Sequence, residues 1–225
     1  DVNLCLVDIA TPPECMAPSS SDEFEEVPYM IGLDFSPNED WLIYGKFSHG
    51  YRAGGQQLRA VSTETQTPFD PEIVDEFEIG FKADLLQSRL RLNVAAYMNE
   101  VTDLQRSTIF TDGRGINYTL LENAAEASNQ GIEAELTALL SANFTLQASG
   151  ALNNAEYDTF VDGQGNDRSN ENFTYVPEEM FTLAGIYETS TRFGQLSARL
   201  DYSWQGETPY DGFNNPAFPE VNDVV

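Results

Sequence analysis

Basic residues are scarce. Eleven Lys and Arg stand against 37 Asp and Glu in 225 residues, a formal net charge of −26. So acidic a chain excludes nucleic acid as a partner, because phosphate binding needs a basic surface. The charge fits a solvated, loop-rich surface, or one that attracts cations or cationic ligands. Histidine is scarcer still, with His49 alone. One histidine and two cysteines do not complete the tetrahedron of a structural zinc site. No apolar run approaches the ~18 residues of a membrane helix. There is no Gly-rich phosphate loop opening a helix and no nucleophile elbow, so no catalytic constellation and no cofactor motif is present. The reading is therefore not an enzyme. Disorder is excluded too, since 41% of residues are hydrophobic and 12% aromatic.

The two cysteines, Cys5 and Cys15, are close in sequence. That spacing points to a small disulfide loop in an oxidising compartment, with two unrelated thiols as the plainer alternative. The sequence opens at Asp1 with neither Met nor signal peptide. An exported protein needs one, so the numbering is expected to begin inside a longer or processed chain.

What the chain does have is alternation. In the stretch 69–105, Phe77, Ile79, Phe81, Ala83 and Leu85 alternate with Glu76, Glu78, Gly80, Lys82 and Asp84. Leu90, Leu92, Val94, Ala96 and Met98 then alternate with Arg91, Asn93, Ala95, Tyr97 and Asn99. Side chains on a strand change face at every residue, so each arm has one apolar and one mostly polar face. Leu86 to Arg89 supply a turn of hairpin length. Each arm also has the ~9–11 residues that a tilted strand needs to cross a bilayer. A half-buried soluble sheet alternates as well, so this hairpin alone leaves both readings open.

The rest of the chain repeats the pattern. Strands are predicted at Pro28–Phe35, Trp41–Ser48, from about Tyr118 to Leu139, from Phe144 to about Asn153, at Phe181–Glu188 and from Leu196 to Trp204. The second hairpin arm is expected to continue to about Phe110. The strand through Ala124–Gln130 alternates poorly, and Gly131 is the expected place for a bulge. Short turns near residues 38, 88, 142 and 192 recur about every 50 residues, with polar connections at 49–74, 111–116 and 159–178 between them. Brief turns at one end and long loops at the other are the habit of a transmembrane barrel, with the short turns periplasmic and the long loops extracellular. Residues 1–26 and 209–225 then fall outside the cell, and 27–208 hold the strands. The expected fold is all-β, an antiparallel transmembrane segment of about eight strands. Two alternatives remain: a complete eight-stranded outer-membrane barrel with a structural or adhesive role, and a secreted acidic β-sandwich that binds carbohydrate.

The wording FDPEIVDEFEIGFKADL followed by LRLNVAAYMNEVTDLQ resembles the barrel of TonB-dependent outer-membrane receptors. So does ENAAEASNQGIEAEL, leading into a Gly-[hydrophobic]-Glu strand, and so does YGKFSHGYRAGG upstream. The resemblance runs from about Trp41 to Gln205. It implies part of a barrel of ~22 strands whose lumen holds a plug. It also implies residence in the outer membrane of a Gram-negative bacterium and import of a scarce nutrient such as a ferric siderophore. The implied partners are the TonB complex, engaged through an N-terminal region not seen here, the nutrient itself and outer-membrane lipid. Neither plug nor TonB box is recognisable. The chain ends Asp223-Val224-Val225, without the terminal aromatic usual in such barrels, and is expected to be incomplete.

Candidate ligand contacts are Tyr51, Arg52, Gln56, Gln57 and Arg59, in the first long loop, where a receptor meets its ligand. Arginine can grip a carboxylate or phosphate bidentately, although in an acidic protein it more often pairs locally. Carboxylates at i, i+2, such as Glu76/Glu78 and Glu133/Glu135, share one strand face and read as lumen-facing residues. The stretch 158–172 is rich in oxygen ligands that suit calcium, but it lacks the EF-hand spacing and reads first as a polar loop.

Overall fold

The computed structural model describes residues 21–57, 65 and 67–209. Eight strands follow in chain order: β1 Tyr29–Asn38, β2 Trp41–Arg52, β3 Glu72–Leu85, β4 Leu90–Thr111, β5 Asn117–Ser141, β6 Phe144–Phe160, β7 Glu179–Thr191 and β8 Gly194–Gln205. They form one antiparallel sheet in sequence order, open at β1 and β8. Among the described residues there is a single sheet, not the two of a sandwich, and β1 does not pair with β8 as in eight strands closed on themselves. The alternation predicted every strand, because period-two patterning is local and each strand buries or exposes one face as a unit.

The strand ends differ from expectation. β2 continues through Arg52, so the connection is 53–71 rather than 49–74. β6 reaches Phe160, so Asp158 and Thr159 belong to the strand and not to the loop. Polar residues continue these strands because backbone pairing, not side-chain burial, extends them: His49 to Arg52 pair in register with Asp75 to Glu72. Gly131 forms no bulge. It pairs with Tyr97 on one side and Asn153 on the other. The irregularities fall nearby instead, between Glu126 and Ala127 against β6 and between Val101 and Gln105 on β4. There Asp103 takes a left-handed φ of 54°, a region that Asp tolerates better than most residues.

At one end the turns are minimal: Glu39-Asp40, residues 86–89, Ala142-Asn143 and Arg192-Phe193. The first three are tied to a neighbouring strand. Asp84 N–H donates to Asp40 O (2.8 Å), Leu139 N–H to Arg89 O (2.7 Å) and Glu188 N–H to Asn143 O (2.8 Å). Leu86, Gln87 and Ser88 are all left-handed. Arg89 braces that turn by donating its guanidinium to Leu139 O and Leu140 O at 3.0–3.2 Å. At the other end β4 and β5 have 22 and 25 residues, about twice a ~9–11-residue crossing. The surplus rises past the neighbouring strands and carries the long connections.

One face of the sheet is apolar and bare. Leu33 is 77% exposed, Phe77 56% and Leu200 78%. Aromatic pairs brace it, Trp41 on Phe81 at 5.8 Å and Phe181 on Trp204 at 5.5 Å between ring centres. Soluble monomers rarely expose so continuous an apolar surface, which marks a face that meets a membrane or another protein. The small interior cluster lies elsewhere, at the long-loop end, where Tyr157, Phe160, Ala125 and Ala127 pack with Phe173.

Candidate functional site

The opposite face is polar, and its side chains pair across strands. Lys46 on β2 places Nζ 2.9 Å from both Glu76 and Glu78 on β3. Tyr44 donates its hydroxyl to Glu78 at 2.7 Å, and the Lys82 ammonium lies 6.0 Å from the centre of the Tyr44 ring. Tyr97 on β4 donates to the Asn153 side chain on β6, reaching over β5. It can do so because Gly131 stands between: a Cβ there would lie 2.5 Å from the Tyr97 oxygen. Gly80 serves Tyr44 in the same way, with a Cβ 2.6 Å from the ring. Further along, Asn93 donates to Glu135 at 3.1 Å and Arg91 grips Asp84 at 2.7 and 2.8 Å. The wall is hydrogen-bonded and rich in carboxylates. It can receive cationic and donor groups, and nothing in it resembles an acid–base pair aimed at a substrate.

At the long-loop end four separated segments converge. Gln105 is 5% exposed, and its amide donates to Ala53 O (3.0 Å) and Asp70 O (3.1 Å), the two ends of the first long connection. Its own N–H donates to the Glu72 carboxylate at 2.9 Å. Asn123 accepts from Asp70 N–H at 2.7 Å and donates to Asp70 O (2.9 Å) and to Asp103 O (2.7 Å). Gly55 and Phe69 exchange two backbone bonds of 2.9 Å. Gly54 beside them leaves no room for a Cβ, which would come within 2.8 Å of Phe24 and 2.9 Å of the Asp70 backbone.

Of the predicted contacts, Tyr51 and Arg52 end β2. Arg52 lies 3.9 Å from Glu72 and keeps 62% of its side chain exposed. Gln56 donates to Asp22. Gln57 is turned inward, 6% exposed; it donates to Leu121 O and accepts from Leu121 N–H. Its amide thus acts as one more rung against β5. Arg59, Cys5 and Cys15 lie outside the described residues.

Two loop tips share one construction fifty residues apart, Asp112-Gly113-Arg114-Gly115 and Asp162-Gly163-Gln164-Gly165. In each, Asp accepts from the backbone N–H two and four residues on at 2.9–3.0 Å, and the second glycine has φ 81°. The tips touch, since Gln164 donates to the Thr111 hydroxyl at 2.8 Å. The N–H of Ile116, with further donors from Arg114 and Tyr118, holds the Asp112 carboxyl below its ordinary range. Burial works to raise Asp162, but the Asn166, Arg168 and Gln164 donors outweigh it and hold that carboxyl well below the usual range. Among the described residues, no three carboxylates come together there as a metal ion would need. Beside these donors, burial raises the Glu171 carboxyl against the pull of Arg168. A hollow of about 440 Å³ lies between residues 169–178 and the upper part of β6, lined among others by Tyr157, Glu171, Phe173 and Glu178.

Nothing in the sequence pattern shows the convergence of Gln105, Asn123 and Asp70, although all three lie in the stretches that carry the family resemblance. The repeated Asp-Gly-x-Gly was visible and is the signal that could have found the paired tips.

Residues 17–223 match the family described as TonB dependent receptor-like, beta-barrel. The metal-pseudopaline receptor CntO of Pseudomonas aeruginosa is 28% identical over 198 residues, covering 85% of this chain and 26% of the relative. Among solved structures, the ferric yersiniabactin uptake receptor FyuA of Yersinia pestis superposes with a TM-score of 0.69 at 19% identity, over 87% of this chain and 28% of that one. The ferripyoverdine receptor of Pseudomonas aeruginosa, bound to ferripyoverdine, gives a TM-score of 0.60 at 18% identity, over 87% and 25%. At these identities the structural likenesses establish the fold. The chain spans about a quarter of the length of the pseudopaline receptor.

Proposed function

Because the chain belongs to the TonB-dependent receptor-like β-barrel family, a family of outer-membrane transporters and not enzymes, we propose that it forms one wall of a receptor that takes up a metal chelate of the siderophore or metallophore class. Its relatives are receptors named for metal–pseudopaline and for ferripyoverdine. The observation that carries the reading is the division of one open sheet into a bare apolar face and a hydrogen-bonded, carboxylate-rich face. The first suits lipid and the second a wet lumen. On this reading the minimal turns are periplasmic, the long connections are extracellular, and the carboxylates around Lys46 face whatever fills the lumen. Tyr51 and Arg52, at the exposed end of β2, are the predicted residues best placed to meet a ligand. Cys5 and Cys15 fall on the extracellular side, where a disulfide is expected.

The test is uptake by the complete receptor in iron-starved cells, with iron-55 presented in turn on a hydroxamate, a catecholate and a carboxylate siderophore. Saturable uptake of at least one complex that disappears when TonB is deleted is the expected result. Uptake indifferent to TonB, or none of any complex, overturns the proposal.

A further inference from the structure

We propose that the described base of the long-loop rim, residues 53–57, 67–72, 101–106 and 119–123, is one preassembled body, and that Gln105 and Asn123 are positioning residues that hold it, so that the ligand meets a fixed base there. That a ligand meets this rim rests on the function proposed above; the connectedness of the rim does not.

Consider what each amide does. A glutamine or asparagine side chain has two N–H donors and one oxygen acceptor. Asn123 uses all of them, on Asp70 N–H, Asp70 O and Asp103 O. It therefore joins the end of the first long connection to the irregular, left-handed residue of β4. Gln105 spends both donors on the two ends of that connection, Ala53 and Asp70, and closes its base. Gln57 clamps the descending part to Leu121 of β5. The chain of contacts then crosses the sheet. The β4–β5 tip meets the 161–168 tip through Thr111 and Gln164. Arg168 N–H donates to Phe160 O at 2.6 Å, and Tyr175 N–H donates to Pro209 O at 2.8 Å beyond β8. Every link is a side chain or backbone group already satisfied inside the rim. Any movement of this described base would have to break several at once, leaving buried amide groups of Gln57 and Gln105 unpaired, which is costly. The four stretches that resemble the family, around Tyr51–Gly55, Phe69–Glu72, Asp103–Gln105 and Glu122–Ala125, are the pieces that meet at these two amides.

The experiment is hydrogen–deuterium exchange on the complete receptor in detergent, paired with the iron-55 uptake assay. In the native protein, amides in 53–57, 67–71, 101–106 and 119–123 should be protected together. Asn123→Ala should raise exchange at least ten-fold in 53–57 and 101–106 as well as at 67–71, with 90–98 unchanged. Asn123→Asp should loosen the rim further, since it keeps the oxygen that accepts from Asp70 but sets a second one against two backbone carbonyls. Gln57→Ala, at a separate clamp, should release 53–57 even if an Asn123 variant assembles poorly. In uptake, Asn123→Ala should raise the half-saturating concentration about ten-fold and leave the maximal rate in place. Three results overturn the proposal: free exchange of 67–71 in the native protein, an effect of Asn123→Ala confined to Asp70, or a fall in maximal rate at unchanged half-saturation. If no complex is transported at all, the function proposed above fails, while the exchange pattern still decides this inference.

Discussion

Two glycines carry more of the wall than their size suggests. Tyr44 and Tyr97 lie flat over Gly80 and Gly131, where any Cβ would stand 2.5–2.6 Å from the ring or its oxygen. Gly80→Ala or Gly131→Ala must push a tyrosine off its partner, Glu78 or Asn153. Overpacking of this kind costs about 1–3 kcal/mol. We expect each variant to unfold at a lower temperature in a heat-modifiable gel assay, and Gly113→Ala, which has open space around it, to leave that temperature unchanged. Asp162 gives a second residue-level test. Its carboxyl is held well below the ordinary range by N–H donors that outweigh the effect of burial. A depressed carboxyl stabilises fully above its unfolded pKa of about 3.9 and loses that contribution as pH falls towards its folded value. The 161–168 tip should therefore resist proteolysis unchanged from neutral pH to about 5 and be nicked progressively below about 4. Asp162→Ala should be nicked at every pH. Equal resistance of variant and native tips would show that the aspartate does not organise the loop.

The β3–β4 hairpin is where an element decides between faces. Phe81 pairs with Val94 and Lys82 with Asn93 in one register, so one step along the strand separates lipid from lumen. Arginine at Phe81 should destabilise the barrel by about 2–4 kcal/mol if that position lies near mid-membrane, and arginine at Asn93, beside Glu135, should cost far less. Equal tolerance at the two positions in outer-membrane assembly would refute the assignment of faces. This alternation is also why so much was legible in the sequence. The eight strands and four short turns follow from neighbours one and two residues apart, and from turn residues such as Glu39-Asp40 and Asn143. The rim was not legible. Gln57 and Leu121 are 64 residues apart, Asp70 and Asn123 53 apart, and a glutamine in a polar loop looks the same whether it faces solvent or completes a β-ladder. A glycine in a poorly alternating stretch points to a bulge at Gly131, but the strand is regular there because the space the glycine leaves belongs to Tyr97, one strand away.

At the scale of the whole molecule, the two edges dominate. Among the described residues, β1 and β8 each present a row of backbone N–H and C=O groups with no strand beside them, and each unsatisfied group costs several kcal/mol in hydrocarbon. In water the same edges, next to an apolar face that includes Leu33 and Leu200, invite association with other sheets. Curling the sheet until β1 meets β8 would satisfy the edges. It would also crowd Tyr44, Arg91, Tyr97 and Arg199 with many carboxylates into the narrow bore of an eight-stranded barrel, which side chains alone fill. The structure instead keeps the sheet open, matching about a quarter of the longer receptor chains to which it is similar. Residues 1–225 expressed alone should therefore fail to fold in detergent or lipid, whereas the complete receptor, with strands beside β1 and β8, should fold. Circular dichroism and heat-modifiable migration of the two proteins, refolded side by side, measure this. A monomeric, β-rich, heat-modifiable species from residues 1–225 would mean that the edges do close on each other, and the wall-of-a-receptor reading would have to be given up for a small barrel.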